Sequence, residues 1–348
     1  MSPAHFYSTM AAWYASHARD LPWRHTRDPY AIWLSEVILQ QTRISQGTDY
    51  WLRFMRTWPT VESLAQATED EVLKMWQGLG YYSRARHLHQ AAMQVVAQGH
   101  FPNTLKGIKA LKGVGDYTAA AIASLAFELP AAAVDGNAYR VLARLYGIDT
   151  PIDTTTGKKT FAMLANELVQ DAPRKALSPW GEPCGGAGLL NQAVMDFGAT
   201  LCTPTSPQCG QCPWAEECEA RRQGKVDELP AKQKTLKTKT RKFSYLYLRC
   251  QGCTAIHRRG AGDIWQGLWE PPLFEDCPLP SWPGRFTMIA SGVRHVLTHR
   301  IIVADFYVLD TDSRPQLPPD YQWVSENSLH EYAVPRLVEK LLDAVANK

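Results

Sequence analysis

No apolar run in this sequence is long enough to cross a bilayer as a helix, so a membrane partner is not expected. Met1–Leu21 contains no uninterrupted apolar core, which argues against a signal peptide or an anchor. Its Phe6, Met10, Trp13 and Tyr14 fall at helical spacing instead. Charge of one sign is also scarce. Basic and acidic side chains nearly balance, and a net charge of +3 is too small to name a partner. No repeat of solenoid length is present. With no secretion signal, the eight cysteines point to a reducing compartment, where clustered cysteines mean metal more often than disulfides. What remains is the composition of a soluble globular protein. Its 348 residues exceed one ordinary domain, so two or three cores are expected.

Up to about Glu219 the pattern is helical with short turns. Asp28-Pro29, a cap followed by proline at the first helical position, opens a helix over Tyr30–Thr42. Further helices are expected over Val61–Gln77, Ser83–Gln98, Leu105–Leu111, Asp116–Phe127, Asn137–Tyr146, Lys158–Val169 and Leu189–Thr200. The stretch Lys225–Lys242 is basic, lacks aromatics and has no apolar stripe, so it reads as a solvated linker. Beyond it the period changes to two. Phe243–Leu248, Cys253–Arg258 and Arg300–Leu309 are expected strands, the first two joined through Gln251-Gly252, and Val334–Val345 is an expected terminal helix. The second domain is therefore small and α+β.

Cys202, Cys209, Cys212 and Cys218 follow a C-x6-C-x2-C-x5-C spacing. Four thiolates in one short loop can hold an iron–sulfur cluster or a structural zinc ion. Zinc loops usually show two C-x2-C knuckles, and only one is present, so the spacing favours iron–sulfur. Cys250 and Cys253 form a second C-x2-C pair, but flanking an expected hairpin they read as ordinary packing.

A Gly-x-Gly turn, Gly113-Val114-Gly115, stands between two expected helices, with Lys112 before it and Thr118 after it. Such a turn, opening onto free helix N–H groups, can hold a DNA phosphate, or it is simply a tight helix–helix corner. Glu36 shares a helix face with Ile32, Trp33 and Leu39. Burial among them disfavours its charged form and would make it a general acid near neutral pH; the plainer alternative is a glutamate satisfied by an arginine. Asp135, just before a helix, is either a cap or the ionised partner of that acid.

Taken in order, Glu36 in LSEVILQQT, the LKGVGDYTA hairpin, Asp135 in VDGNAYRVLARL and the four cysteines resemble the MutY-type adenine DNA glycosylases, a helix-hairpin-helix superfamily. The resemblance runs from about Leu21 to Cys218 and continues weakly to the end. It implies a multi-domain chain: an all-α helix-hairpin-helix core over 1–224 with an iron–sulfur loop, the linker 225–242, and a Nudix-like recognition domain over 243–348. The core would comprise a six-helix lobe, about 25–133, and an iron–sulfur lobe of 1–24 with 134–224. A 4Fe–4S cluster on the four cysteines is implied. So is excision of adenine paired with 8-oxoguanine or guanine in double-stranded DNA, by a monomer. By resemblance, Glu36 protonates the adenine and Asp135 stabilises the cationic sugar, through charge or a transient covalent bond, supported by Tyr117 and Asn137. Gln41 and Tyr81 wedge into the gap left by the flipped base, and Trp23, Arg24 and Gln192 wall the adenine pocket. In the second domain, where IWQGLWEPP (Ile264–Pro272) is the clearest stretch, Thr298 and His299 stand where the family meets the oxidised guanine. Leu297 replaces the family's usual aromatic there, and the glutamate-rich Nudix metal motif is absent.

Three rival readings share parts of the pattern. An endonuclease III-like glycosylase/lyase for oxidised pyrimidines needs a lysine where Tyr117 stands. A non-catalytic iron–sulfur DNA-binding protein has no use for Glu36 with Asp135. A zinc regulator would hold zinc in the cysteine loop. A bacterial-type cytoplasmic protein acting on the nucleoid is the expected setting.

Overall fold

The computed structural model describes residues 1–233 and 238–347. By compactness the chain divides into two units, Met1–Ala65 with Gln90–Lys234 and Gln66–His89 with Thr235–Lys348. The segment carrying Tyr81 thus counts with the C-terminal strands, not with the helical lobe expected around it. Among the described residues no helix is long and apolar enough to cross a membrane.

The first unit is helical. Asp28 accepts from the Tyr30 amide at 3.0 Å and Pro29 occupies the first turn, fixing the start of the helix Pro29–Ile38. Every residue from Tyr30 to Ile38 is buried, so this helix runs through the interior and takes Glu36 with it. It ends four residues before the expected Thr42, because Gln41 turns left-handed at φ +58. The helix Asp116–Phe127 buries small residues, Ala119 to Ala121 and Ala123, which lets neighbouring backbones approach closely. The N-terminal helix Pro3–His17 buries Phe6, Met10, Trp13 and Tyr14, as their spacing predicts. They share a core with the helices Gly136–Tyr146, Thr155–Gln170 and Gly186–Thr200. The helix Ile44–Thr57 went unread, since it starts at Arg43 with no side-chain cap. A two-residue ribbon joins β1 (Ala176–Leu177) to β2 (Pro183–Cys184).

Val61–Gln77, expected as one helix, is two: Val61–Gln66 and Glu69–Trp76. Thr68 breaks it with a capping box, its hydroxyl taking the Glu71 amide while the Glu71 carboxylate takes the Thr68 amide.

The second unit carries the remaining strands: β3 (Lys239–Arg249), β4 (Cys253–Arg258), β5 (Trp269–Glu270), β6 (Leu273–Glu275), β7 (Arg285–Val296), β8 (Arg300–Asp310) and β9 (Tyr321–Ser325). They form a mixed sheet, β6-β3-β8-β7, with β3 and β8 parallel, and a smaller sheet, β5-β4-β9. The helix Arg336–Ala346 lays Leu337, Val338, Leu341 and Val345 on the sheet residues Tyr245, Ile302 and Phe306. β7 was not expected; its interrupted alternation reflects a bulged register between Met288 and Val293.

The linker reading needs correction. Lys239–Lys242 belong to β3, where Arg241 pairs with Asp263 and Glu275. Leu229 is buried in the first unit's core, and the Ala231 carbonyl accepts from the Ile152 amide. Residues 234–237 lie outside the described residues.

Candidate active site

Glu36 is buried on its apolar helix, and the Tyr117 hydroxyl donates to its Oε2 at 2.6 Å. Tyr117 stands in the first turn of Asp116–Phe127, directly after the Gly-x-Gly turn. Burial pushes Glu36 up to about 7; the Asp135 charge pushes the same way, while Tyr117 and Arg24 oppose it. Asp135 caps the helix Gly136–Tyr146, accepting from the Ala138 amide and from Asn137 Nδ2, each at 2.7 Å. Burial raises its carboxyl as well, against these donors, which favour the charged form. The Asp135 charge acts on Glu36, and Tyr117 feels both acids. Burial raises both carboxyls; at Asp135 the Ala138 and Asn137 donors oppose that rise, while at Glu36 the opposing groups are Tyr117 and Arg24. Capping and a site role coexist at Asp135.

Arg140, which sequence reasoning passed over, supports this group. Its Nη2 donates to Asn137 Oδ1 at 2.8 Å and to the Gly198 carbonyl, and its Nε to the Cys202 carbonyl at 2.7 Å.

Trp23 and Arg24, on the short turn Pro22–Arg24, line a cavity together with Gln192, Tyr14 and Leu125. The Tyr14 hydroxyl donates to Gln192 Oε1 at 3.0 Å. Arg24 is fixed by two bonds of 2.6 Å to Asp196, a fully buried carboxylate that Arg19 also contacts. Burial alone would raise Asp196, but the two arginines bring it below the ordinary range. Asp196 left no signal in the sequence because its partners lie more than 170 positions away.

In the hairpin, Gly113 adopts φ +76 and Gly115 caps the following helix; both are exposed. Val114 between them is buried. Gln41 and Tyr81 are exposed and left-handed, with φ +58 and +46, a conformation that bulky residues rarely adopt. The Tyr81 hydroxyl is bonded to Thr298 Oγ1, and the Arg84 guanidinium stands 5.5 Å from the Tyr81 ring centre. Thr298 and His299 form the exposed two-residue turn between β7 and β8, closed by the Leu297 amide on the Arg300 carbonyl at 2.8 Å.

The four cysteines line one cavity. Among the described residues no three histidine, cysteine or acidic side chains close on a single ion. The four cysteines around one cavity supply the four thiolate ligands that an iron–sulfur cluster requires. Burial, reinforced by the other three thiols, pushes Cys212 up to about 11. Cys250 and Cys253 pair across a tight turn, in keeping with ordinary packing.

Residues 34–166 match the model of the HhH-GPD superfamily of base excision DNA repair proteins, 244–344 a NUDIX domain, and 202–218 the iron–sulfur binding domain of endonuclease III. The adenine DNA glycosylase of Buchnera aphidicola subsp. Baizongia pistaciae is 32% identical over 274 residues, 77% of this chain and 74% of that protein. The chain belongs to the adenine DNA glycosylase family. The Rattus norvegicus and Homo sapiens adenine DNA glycosylases are each 40% identical, over 66% and 65% of this chain, which spans 47% and 41% of their length. A thermostable thymine-DNA glycosylase superposes with a TM-score of 0.55 at 31% identity, covering 64% of this chain and 97% of that one. In this family member the loop 202–218 holds a 4Fe–4S cluster, which the ring of thiols around one cavity fits.

Proposed function

We propose that this chain is a monofunctional glycosylase of base excision repair. It binds double-stranded DNA as a monomer, hydrolyses the N-glycosidic bond of adenine opposite 8-oxoguanine and, less efficiently, opposite guanine, and leaves an abasic site. The observation that carries this reading is Glu36: a buried carboxyl raised to about 7, bonded to Tyr117 and facing the charge of Asp135.

Glu36 delivers its proton to N7 of the extruded adenine, which leaves as a neutral base. Asp135, in the ionised form that the Asn137 and Ala138 donors favour, stabilises the positive charge developing on the sugar. The Glu36 carboxylate then takes a proton from the incoming water, whose oxygen bonds to C1′, and is ready for another cycle. Tyr117 offers no amine for a Schiff base, so the chain lacks lyase chemistry. Trp23, Arg24 and Gln192 wall the adenine pocket. The Gly113–Gly115 backbone holds a phosphate, and Gln41 and Tyr81 fill the vacated stack. Thr298 and His299 meet the opposite base, where an oxidised guanine offers an N7–H donor and guanine only an acceptor. Cys202, Cys209, Cys212 and Cys218 hold the cluster, which ties the loop together.

Single-turnover release of adenine from duplexes with each ordinary base and 8-oxoguanine opposite tests the assignment. Glu36→Gln and Asp135→Asn should each slow release by about 10²–10⁴-fold with DNA affinity kept. Near-normal release by either variant overturns it.

A further inference from the structure

Arg144 is a buried cation held by neutral partners. It lies on the helix Gly136–Tyr146 with only 3% of its surface exposed. Its Nε donates to the Leu229 carbonyl at 3.1 Å, Nη1 to the Thr203 carbonyl at 2.7 Å, and Nη2 to the Pro204 carbonyl at 3.3 Å. Nη1 also reaches Cys202 Sγ at 3.4 Å. Among the described residues none of these partners is a carboxylate. Carbonyl dipoles satisfy the N–H groups, but they do not neutralise the charge, and a lone buried charge is strongly unfavourable. The two nearby arginines differ. Arg140 feels the charge of Asp135, and Arg221 pairs with Glu216.

The same residue touches both ends of the cysteine loop. Its own carbonyl stands 3.4 Å from Cys218 Sγ, and its side chain lines the cavity that the four cysteines surround. Four thiolates around an iron–sulfide core carry net negative charge, and hydrogen bonds to the sulfurs with the local charge set the potential of such a centre. We propose that Arg144 is the counter-charge of the cluster. Its guanidinium balances the cluster electrostatically, and its bond to Cys202 Sγ raises the reduction potential, which protects the cluster from oxidation. This rests on the iron–sulfur assignment of the loop.

The test compares the intact chain with Arg144→Gln, which keeps a donor without charge, and Arg144→Lys, which keeps the charge without the fork to the carbonyls. Iron and sulfide per chain, cluster loss to a chelator, and the midpoint potential on an electrode are measured for each. Arg144→Gln should shift the potential negative, so that the oxidised-to-reduced ratio at a fixed potential rises at least tenfold, about 59 mV for one electron. It should also lose iron faster, while Arg144→Lys stays near the unaltered protein. If Arg144→Gln does not accumulate as folded protein, Arg144→Lys decides. A lysine variant that keeps its cluster supports a requirement for charge, and one that fails equally overturns it. Unchanged potential and chelator resistance in Arg144→Gln overturns it too. Unaltered protein with zinc and no sulfide would remove the cluster assignment itself, a separate failure that metal analysis identifies first.

Discussion

At the scale of single residues, the proposed chemistry depends on a group that burial disfavours. Raising a carboxyl from its ordinary 4.5 to about 7 means that ionised Glu36 opposes folding by roughly 3 kcal/mol. Between these values the folded chain holds the Glu36 proton and the unfolded chain releases it, so this group's effect erodes stability as pH rises from about 4.5 to about 7. Glu36→Gln removes the titration. The variant should therefore be no more stable than the unaltered protein at pH 4, and more stable at pH 8. Melting both proteins across that range checks it; parallel curves would mean that Glu36 is not held protonated by the fold. Adenine release by the unaltered chain should rise as pH falls through about 7. Glu36 was legible in the sequence because its neighbours Ile32, Trp33 and Leu39 announce a buried face. Arg24–Asp196 was not, because nothing local marks a pair separated by 172 positions.

At the scale of elements, the site depends on two helices in close approach. A Cβ at Gly198, on Gly186–Thr200, would stand 2.5 Å from the Asn137 Cβ and 3.1 Å from its Cα, on Gly136–Tyr146. Alanine normally improves a helix interior by up to about 1 kcal/mol. Here the contact must yield, and Asn137 is the residue whose amide holds Asp135. Gly198→Ala should destabilise the chain by about 1–3 kcal/mol and slow adenine release more than it weakens DNA binding. A release rate equal to that of the unaltered protein would detach Asn137 from the work of Asp135. Periodicity found most of these helices, and Ser83–Gln98 and Asp116–Phe127 ran to their expected ends. It missed Thr68, where the capping box overrides a continuous apolar pattern, and β7, where a bulge disrupts the alternation.

At the scale of the whole molecule, the segment Gln66–His89 depends on residues far along the chain. Glu69 and Asp70 meet Arg258 at 2.8 and 3.0 Å, Gln77 meets Glu339 at 2.6 Å, and Lys74 donates to the Tyr332 carbonyl at 3.1 Å. Exposed pairs contribute little singly, but here they act together with the Tyr81–Thr298 bond. A chain ending at Gln233, beyond the packed Leu229, lacks all of these partners. Amide exchange within 69–89 should accelerate at least tenfold there, while the helix Gly186–Thr200 keeps its protection. The ratio of release opposite 8-oxoguanine to release opposite guanine should fall as well. Unchanged exchange would show that the segment is ordered without the C-terminal strands.

The sequence by itself determined the two kinds of architecture, the cysteine loop, the apolar helix that carries Glu36 and the cap position of Asp135, because apolar period, capping residues and ligand spacing are local properties. Tertiary structure alone decided what depends on distant neighbours. Glu36 becomes an acid near 7 only because a helix buried throughout removes it from water beside Tyr117 and Asp135. Tyr81 is held left-handed, with its hydroxyl on Thr298 more than 200 positions away. Charge, burial and strain are sums over whatever the fold brings close, and a linear pattern carries none of those distances.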